Sequence, residues 1–323
     1  MSIHAELVRR PDMQTISLSI LTTLLVSACA TTQERPLQTQ EKAMTTKQKK
    51  TGYSEINGVN YYYEISGQGE PLLLLHGGLG TIEMFQPILP LFTQHRQVIA
   101  VDLHGHGRTA LGTRDISVPD MGDDMATLVG NLGFAQVDAL GYSLGAGVAF
   151  RLAAQHPEKI RRLALVSGAF SDDGFYPEMK PMQAAVGAAM ADMMKDTPMY
   201  KSYVAVAPNP AEFPKLLDQL GALMRKTYNW ADDAKKLTMP VILVWGDSDM
   251  FRPEHMVEFY KLIGGGQRDA GWQREHMSKN RLAILPGVTH YEMFMSPALP
   301  ATVLPFLDGT EAKSSWADQV AKQ

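Results

Sequence analysis

The chain has 323 residues, 45% of them hydrophobic and 20% charged, which is ordinary for a soluble globular protein and long enough for one large α/β domain or two smaller ones. A net charge of −4 without any basic stripe argues against a nucleic-acid partner. The single cysteine, Cys29, excludes an intramolecular disulfide, and the 19 methionines are more than such a chain usually carries.

The N-terminal fifty residues do not read as fold. Arg9 and Arg10 precede "TISLSILTTLLVSACA", an apolar and small-residue run from Thr15 to Ala30. Residues 1–28 are therefore expected to be a secretory signal peptide, too short to span a bilayer. "VSAC" at 26–29 resembles the bacterial lipobox, in which the cysteine is lipidated and becomes the new N-terminus. That resemblance implies an exported bacterial lipoprotein, tethered to a membrane through Cys29 on the periplasmic or cell-surface side. The plainer readings are an ordinary signal peptide with an incidental cysteine, or a true start at Met13. Residues 29–52 are mostly polar and lack periodicity, as a flexible tether would.

The folded domain is expected over 53–309. "YSEINGVNYYYEISGQG" alternates around Asn57-Gly58, a type I′ hairpin signal. Six apolar runs follow, at 71–78, 97–105, 136–143, 161–168, 239–247 and 281–287. They suit strands of a parallel sheet buried on both faces. Helices are expected between them at about 81–93, 119–132, 143–155, 253–263 and 297–307, with Pro119 and Pro253 in first turns. The pattern predicts an open, mostly parallel α/β sheet.

The interval 171–235 is too long for one crossover helix. Met182, Val186, Met190 and Met193 or Met194 recur at helical spacing, as do Phe213, Leu216 or Leu217, Leu220 and Leu223 or Met224. These stripes either pack on the core or roof the strand ends as a helical cap. Residues 264–280 look inserted, and the sequence does not say whether Trp272 or His276 reaches a site. Residues 310–323 are expected to be a C-terminal tail.

One stretch carries chemistry. In "LGYSLGAG", at 140–147, Ser143 stands where a strand hands over to a helix, between Gly141 and Gly145. A sharp turn there strains the middle residue, and its neighbours two places away must be small or the arms collide. The hydroxyl is then aimed at free N–H groups at the helix start. The bland alternative is a glycine-rich turn with an incidental serine.

With "HGG" at 76–78, "DLHGHGRT" at 102–109, "GYSLG" at 141–145, "GDSD" at 246–249 and "GVTH" at 287–290, the chain resembles the α/β-hydrolase superfamily in its capped serine-hydrolase branch. The likeness covers about 53–309. It implies an eight-stranded, mostly parallel sheet with helices on both faces and a helical cap. It also implies a triad in the order Ser143, Asp249, His290. Chemistry asks for the same types of group. A serine needs a base to take its proton, and the base needs an acid to hold its tautomer. Asp247 competes with Asp249, and Asp172 and Asp173 are weaker competitors. The amide of Leu144 would serve an oxyanion, and the resemblance adds Gly78, with Leu79 as the other candidate. His76 is expected to shape its loop, and Asp102 to brace the nucleophile turn. His104 and His106 form an HxH pair, but the extended metal motif fails at Arg108 and Thr109, so neither a metal nor a cofactor is expected.

The expected activity is hydrolysis of small or medium apolar carboxylic esters through an acyl-enzyme, with a small ester-like molecule as partner. A lactonase, C–C bond hydrolase, amidase or perhydrolase on the same triad is the alternative within the family. A tethered, non-catalytic ligand-binding protein is the alternative outside it.

Overall fold

A computed structural model describes residues 49–310 and 316–320; the expected signal peptide, Cys29 and all but the end of the expected tether lie outside the described residues. Asn57 and Gly58 both have positive φ, 49° and 78°, and close the hairpin between β1 (Lys50–Ile56) and β2 (Val59–Gly67). β1 starts within the stretch assigned to the tether: Lys50 pairs with Ile65 and Gly52 with Tyr63. Composition hid these residues because an edge strand tolerates lysine and exposed polar side chains.

The remaining strands are β3 (Glu70–Leu75), β4 (Arg96–Val101), β5 (Val137–Tyr142), β6 (Ile160–Val166), β7 (Val241–Ser248) and β8 (Arg281–Thr289). They form one eight-stranded sheet in the order β1-β2-β4-β3-β5-β6-β7-β8. Pairing is antiparallel for β1/β2 and β2/β4 and parallel elsewhere. Alternate residues feed two cores. Leu73, Leu75, Ile99 and Val101 enter one, and Leu72, Leu74, Val98 and Ala100 the other.

Helices α1 (Leu89–Thr93), α2 (Val118–Asn131) and α3 (Leu144–Gln155) precede β6. Between β6 and β7 lie α4 (Met179–Ala184), α5 (Ala191–Met194), α6 (Pro198–Val206), α7 (Phe213–Met224) and α8 (Ala231–Lys235). Then come α9 (Pro253–Leu262), α10 (Ala298–Asp308) and α11 (Trp316–Val320). Helices α2, α3 and α9 bury apolar faces in the first core, and α1 and α10 in the second.

Three expectations change. The helix expected over 81–93 is a 3-10 turn at Ile82–Phe85 followed by the short α1. Pro87 and Pro90 interrupt it, since each removes a backbone donor. The spacing from Met182 to Met193 does not form one stripe. A 3-10 turn at Ala188–Met190 breaks the helix, and Met182 and Met193 are 54% and 73% exposed. Val186, Met190 and Met194 of that set pack on the core. On α7, by contrast, Phe213, Leu217 and Leu220 are buried in the first core, with Met224 exposed. The third change is at the C-terminus. Gly309 (φ 65°) caps α10, but the expected tail contains α11, whose Trp316 ring lies 5.6 Å from that of Trp272.

The chain steps outward from β3 to β4 and returns on the far side of β3 to β5. Such a reversal opens a crevice at the carboxyl ends of β3 and β5, where open α/β sheets bind ligands. The loop after β4 braces one wall of it. Asp102 accepts from the Ile82 amide at 2.8 Å and from the Arg108 amide at 2.9 Å. An added Cβ on Gly107 (φ 53°) would collide with the Asp102 carboxyl group. His76 accepts from the Leu103 amide through Nε2 at 3.0 Å, which leaves its Nδ1 to donate to the Gly77 carbonyl at 2.7 Å. Asp102 thus holds the loop after β3 rather than the turn around Ser143. His106 donates from Nδ1 to the His104 carbonyl at 2.9 Å. His104 donates from Nε2 to the Leu111 carbonyl at 2.8 Å.

At the opposite edge, buried Asp138 at the start of β5 accepts from Arg96 of β4 at 2.6 Å and from Arg161 of β6 at 2.7 and 2.9 Å. Without that carboxylate, fully buried Arg96 would keep, among the described residues, only Asp308, at 2.7 Å, and Arg161 only the exposed Glu70, at 2.5 Å. Asp138→Ala should therefore cost about 3–5 kcal/mol, read as a fall in the denaturation midpoint; a loss under about 1 kcal/mol would show that the cluster is only a surface bridge.

Burial pushes the His106 imidazole down to about 3. An unfolded histidine takes its proton near pH 6.5. Between about pH 6.5 and 3 the unfolded chain therefore binds the extra proton, and stability falls as pH falls, by about 1.4 kcal/mol per unit from this residue. His106→Gln should flatten the slope of unfolding free energy against pH below 6.5, whatever it does to stability at pH 8. An unaltered slope would place the proton uptake elsewhere.

Candidate active site

Ser143 follows β5 directly and has φ 54° and ψ −115°, a conformation that costs free energy for any residue with a Cβ. Its amide donates to the Val166 carbonyl at 2.9 Å, so the strained turn is tied to β6. The two glycines are explained by contact. A Cβ on Gly141 would strike the Gly145 carbonyl oxygen and stand 2.7 Å from the Ala146 amide nitrogen. A Cβ on Gly145 would strike Leu75 and stand 2.6 Å from the His76 carbonyl oxygen. The first turn of α3 therefore rests on the backbone at the end of β3. Gly77 is constrained too, since its Cβ would meet the Tyr142 ring at 2.7 Å.

Three strand ends bring three side chains together. His290, after β8, has Nε2 3.1 Å from Ser143 Oγ and Nδ1 2.8 Å from Asp249 Oδ1. Asp249, after β7, also accepts from the Met250 amide at 2.8 Å. His290 and Asp249 are buried, while Ser143 keeps access to solvent. The Tyr142 hydroxyl donates to the His290 carbonyl at 2.6 Å, and the two rings lie 5.3 Å apart. The Phe251 ring meets the imidazole edge to face at 5.9 Å. His290 is thus packed between aromatic rings and hydrogen-bonded at both nitrogens.

The competing acids point elsewhere. Asp247 is exposed and accepts from the Gly287 amide at 3.0 Å. Asp172 accepts from the Tyr228 amide at 3.1 Å and from Lys180 at 3.3 Å. Of Asp173 the backbone carbonyl, not the carboxylate, accepts from Arg252. Leu144 is the first residue of α3, so its N–H has no helical carbonyl to bond. Gly78 and Leu79 form the corners of a turn closed by the Gly80 amide on the Gly77 carbonyl at 3.1 Å, with Leu79 at φ 57°. Added carbon on Gly78 would make only ordinary contact with Leu144, at 3.9 Å, which sets the two loops side by side.

The HxH pair gives its N–H groups to carbonyls, and among the described residues no group of three or more His, Cys, Asp or Glu is placed to hold a metal ion. Trp272 pairs with Trp316, 77% exposed, and the His276 amide donates to the Ala270 carbonyl. Neither is a hydrogen-bond or ring partner of Ser143, Asp249 or His290. One residue at the site escaped the sequence reading. Ser167 follows β6 and donates to Asp249 Oδ2 at 2.5 Å. Its signal was present, a polar residue closing the apolar run "RRLALVSG", but nothing in the sequence says that β6 and β7 are neighbours.

Residues 70–198 match the model of the alpha/beta hydrolase fold family. A pimeloyl-[acyl-carrier protein] methyl ester esterase of Neisseria meningitidis serogroup B is 30% identical over 239 residues, covering 68% of this chain and 88% of that protein. The (E)-2-((N-methylformamido)methylene)succinate hydrolase of Acinetobacter baylyi is 29% identical over 114 residues, 35% of this chain. That match spans 43% of the relative, so the chain covers less than half of it. Among solved structures, the carboxylesterase CesB of Bacillus subtilis superposes with a TM-score of 0.63 at 18% identity, over 81% of this chain and 92% of that one, a likeness of fold alone. A sheet of this order and a relative of that extent place the chain plainly: it belongs to the α/β-hydrolase family.

Proposed function

We propose that the protein is a serine hydrolase acting on small or medium apolar carboxylic esters through an acyl-enzyme. The observation that carries the reading is the unbroken hydrogen-bonded chain from Ser143 Oγ through His290 to Asp249. In the proposed reaction Ser143 Oγ attacks the ester carbonyl carbon while His290 Nε2 takes the hydroxyl proton. The amides of Leu144 and Gly78 receive the developing oxyanion. His290 returns the proton to the leaving alcohol, and a water activated in the same way releases the acid. Asp249, an acceptor only, keeps the imidazole proton on Nδ1 and stabilises the imidazolium. The apolar preference is supported by Leu79 and Leu144 beside those amides and by Phe251 against His290. The 171–235 insertion is proposed to act as a cap through α7 and its neighbours.

Wild-type protein should be labelled by a fluorophosphonate and hydrolyse p-nitrophenyl esters, with kcat/KM rising about fourfold per added methylene up to butyrate or hexanoate. Ser143→Ala should lose labelling and at least about 10³-fold in turnover, and Asp249→Asn should be worse than Asp247→Asn. Retention of more than a tenth of the activity by Ser143→Ala would falsify the reading, and a flat chain-length profile would remove the apolar acyl site.

For location, Cys29 is proposed to carry lipid, supported by the lipobox resemblance at 26–29. Membrane fractions should hold the wild type, and Cys29→Ser should be soluble or unprocessed. Mass spectrometry finding unmodified Cys29 in mature protein would sink the anchor.

A further inference from the structure

We infer that Ser167 is a positioning residue for the acid of this site, acting on His290 through Asp249; the inference rests on the hydrolase reading above. Ser167 is fully buried at the carboxyl end of β6, and its amide donates to the Val244 carbonyl at 2.8 Å, extending the ladder to β7. Its hydroxyl donates to Asp249 Oδ2 at 2.5 Å, the length of a charge-assisted bond. The two carboxylate oxygens are unequally served. Oδ1 has His290 Nδ1 and the Met250 amide, both at 2.8 Å. Oδ2 has Ser167 and, beyond it, only the Gly246 amide at 3.5 Å. Without the hydroxyl, one oxygen of a buried carboxylate keeps a single long contact.

The backbone makes the choice of residue informative. Ser167 has φ 50°, in the left-handed region where glycine sits at no steric cost. A residue kept there for the turn alone would be glycine. Serine accepts the strain and supplies a donor. One consequence follows for chemistry. The bond fixes the rotation of the carboxylate so that Oδ1 faces the imidazole.

The test is a donor series, Ser167→Cys, Ser167→Ala and Ser167→Gly, assayed for kcat and KM with p-nitrophenyl butyrate beside Ser143→Ala, with thermal melts of each. Cysteine is a weak donor, and alanine and glycine have none. Glycine also relieves the strained φ, so it separates loss of the hydroxyl from damage to the turn. The expected order of kcat is wild type, then Cys, then Ala and Gly together at about 10- to 100-fold down, the size of a lost bond to a charged group. KM should stay within about twofold, so the loss falls on kcat alone. If Ser167→Gly does not fold, the comparison of Cys with Ala reads the same order. Wild-type kcat in the folded donor-less variants, or a loss carried by KM instead, with Ser143→Ala inactive, would overturn this inference alone. An active Ser143→Ala would overturn the hydrolase reading and this inference with it.

Discussion

The site depends on a contact between backbones. The turn after β5 brings the carbonyl of Gly145 against Gly141, and Gly145 itself against the carbonyls of Leu75 and His76. No side chain fits between these segments. That closeness holds Ser143 at φ 54°, seats the first turn of α3 on the end of β3, and sets the Leu144 amide beside the loop of Gly78. The strain is local, but what opposes it is not. Val148, Leu152 and neighbouring residues of α3 are buried in a core shared with β3, β5, β6 and β7. A well-packed interior does not yield by the ångström needed to let the turn relax.

From this turn the positions of Asp249 and His290 follow by strand order. Strands β5, β6, β7 and β8 run parallel and adjacent, so their carboxyl ends deliver Ser143, Ser167, Asp249 and His290 to one edge. Burial of an aspartate beside an imidazole is costly unless every lone pair is met. Asp249 satisfies this with donors from β6, β8 and its own loop. The Tyr142 hydroxyl fixes the carbonyl of His290, so the residue beside the proposed nucleophile also holds His290.

The loop after β4 works at one remove. Asp102 and His76 tie the segment after β3 to the end of β4, and the Thr81 hydroxyl reaches Ser202 on α6 at 3.2 Å. The turn carrying Gly78 and Leu79 is thereby connected to the insertion. The insertion meets the acid loop as well, where Phe175 bridges to Phe251 and the Tyr176 amide donates to the Met250 carbonyl. Through α6 and the segment at Phe175–Tyr176 the insertion thus contacts both the Gly78 side and the Asp249 side of the crevice.

The sequence alone determined the parallel sheet, because runs such as "PLLLLHGG" are apolar on both strand faces and can be buried only between two layers. It also determined the hairpin at Asn57-Gly58, where positive φ is required twice, and the glycines around Ser143, where local sterics dictate residue type. It did not reveal β1 at Lys50, because an edge strand leaves polar side chains in water. Nor did it reveal that the methionines from 182 to 193 straddle a broken helix, since periodicity continues through a break that only packing exposes. Asp247 and Asp249 are two residues apart and chemically identical; which one meets His290 was decided by the path of the chain after β7 and by burial. Ser167 lay silent for the same reason. A hydroxyl acquires a partner only when strands distant in sequence are laid side by side, and that pairing is a property of the assembled sheet.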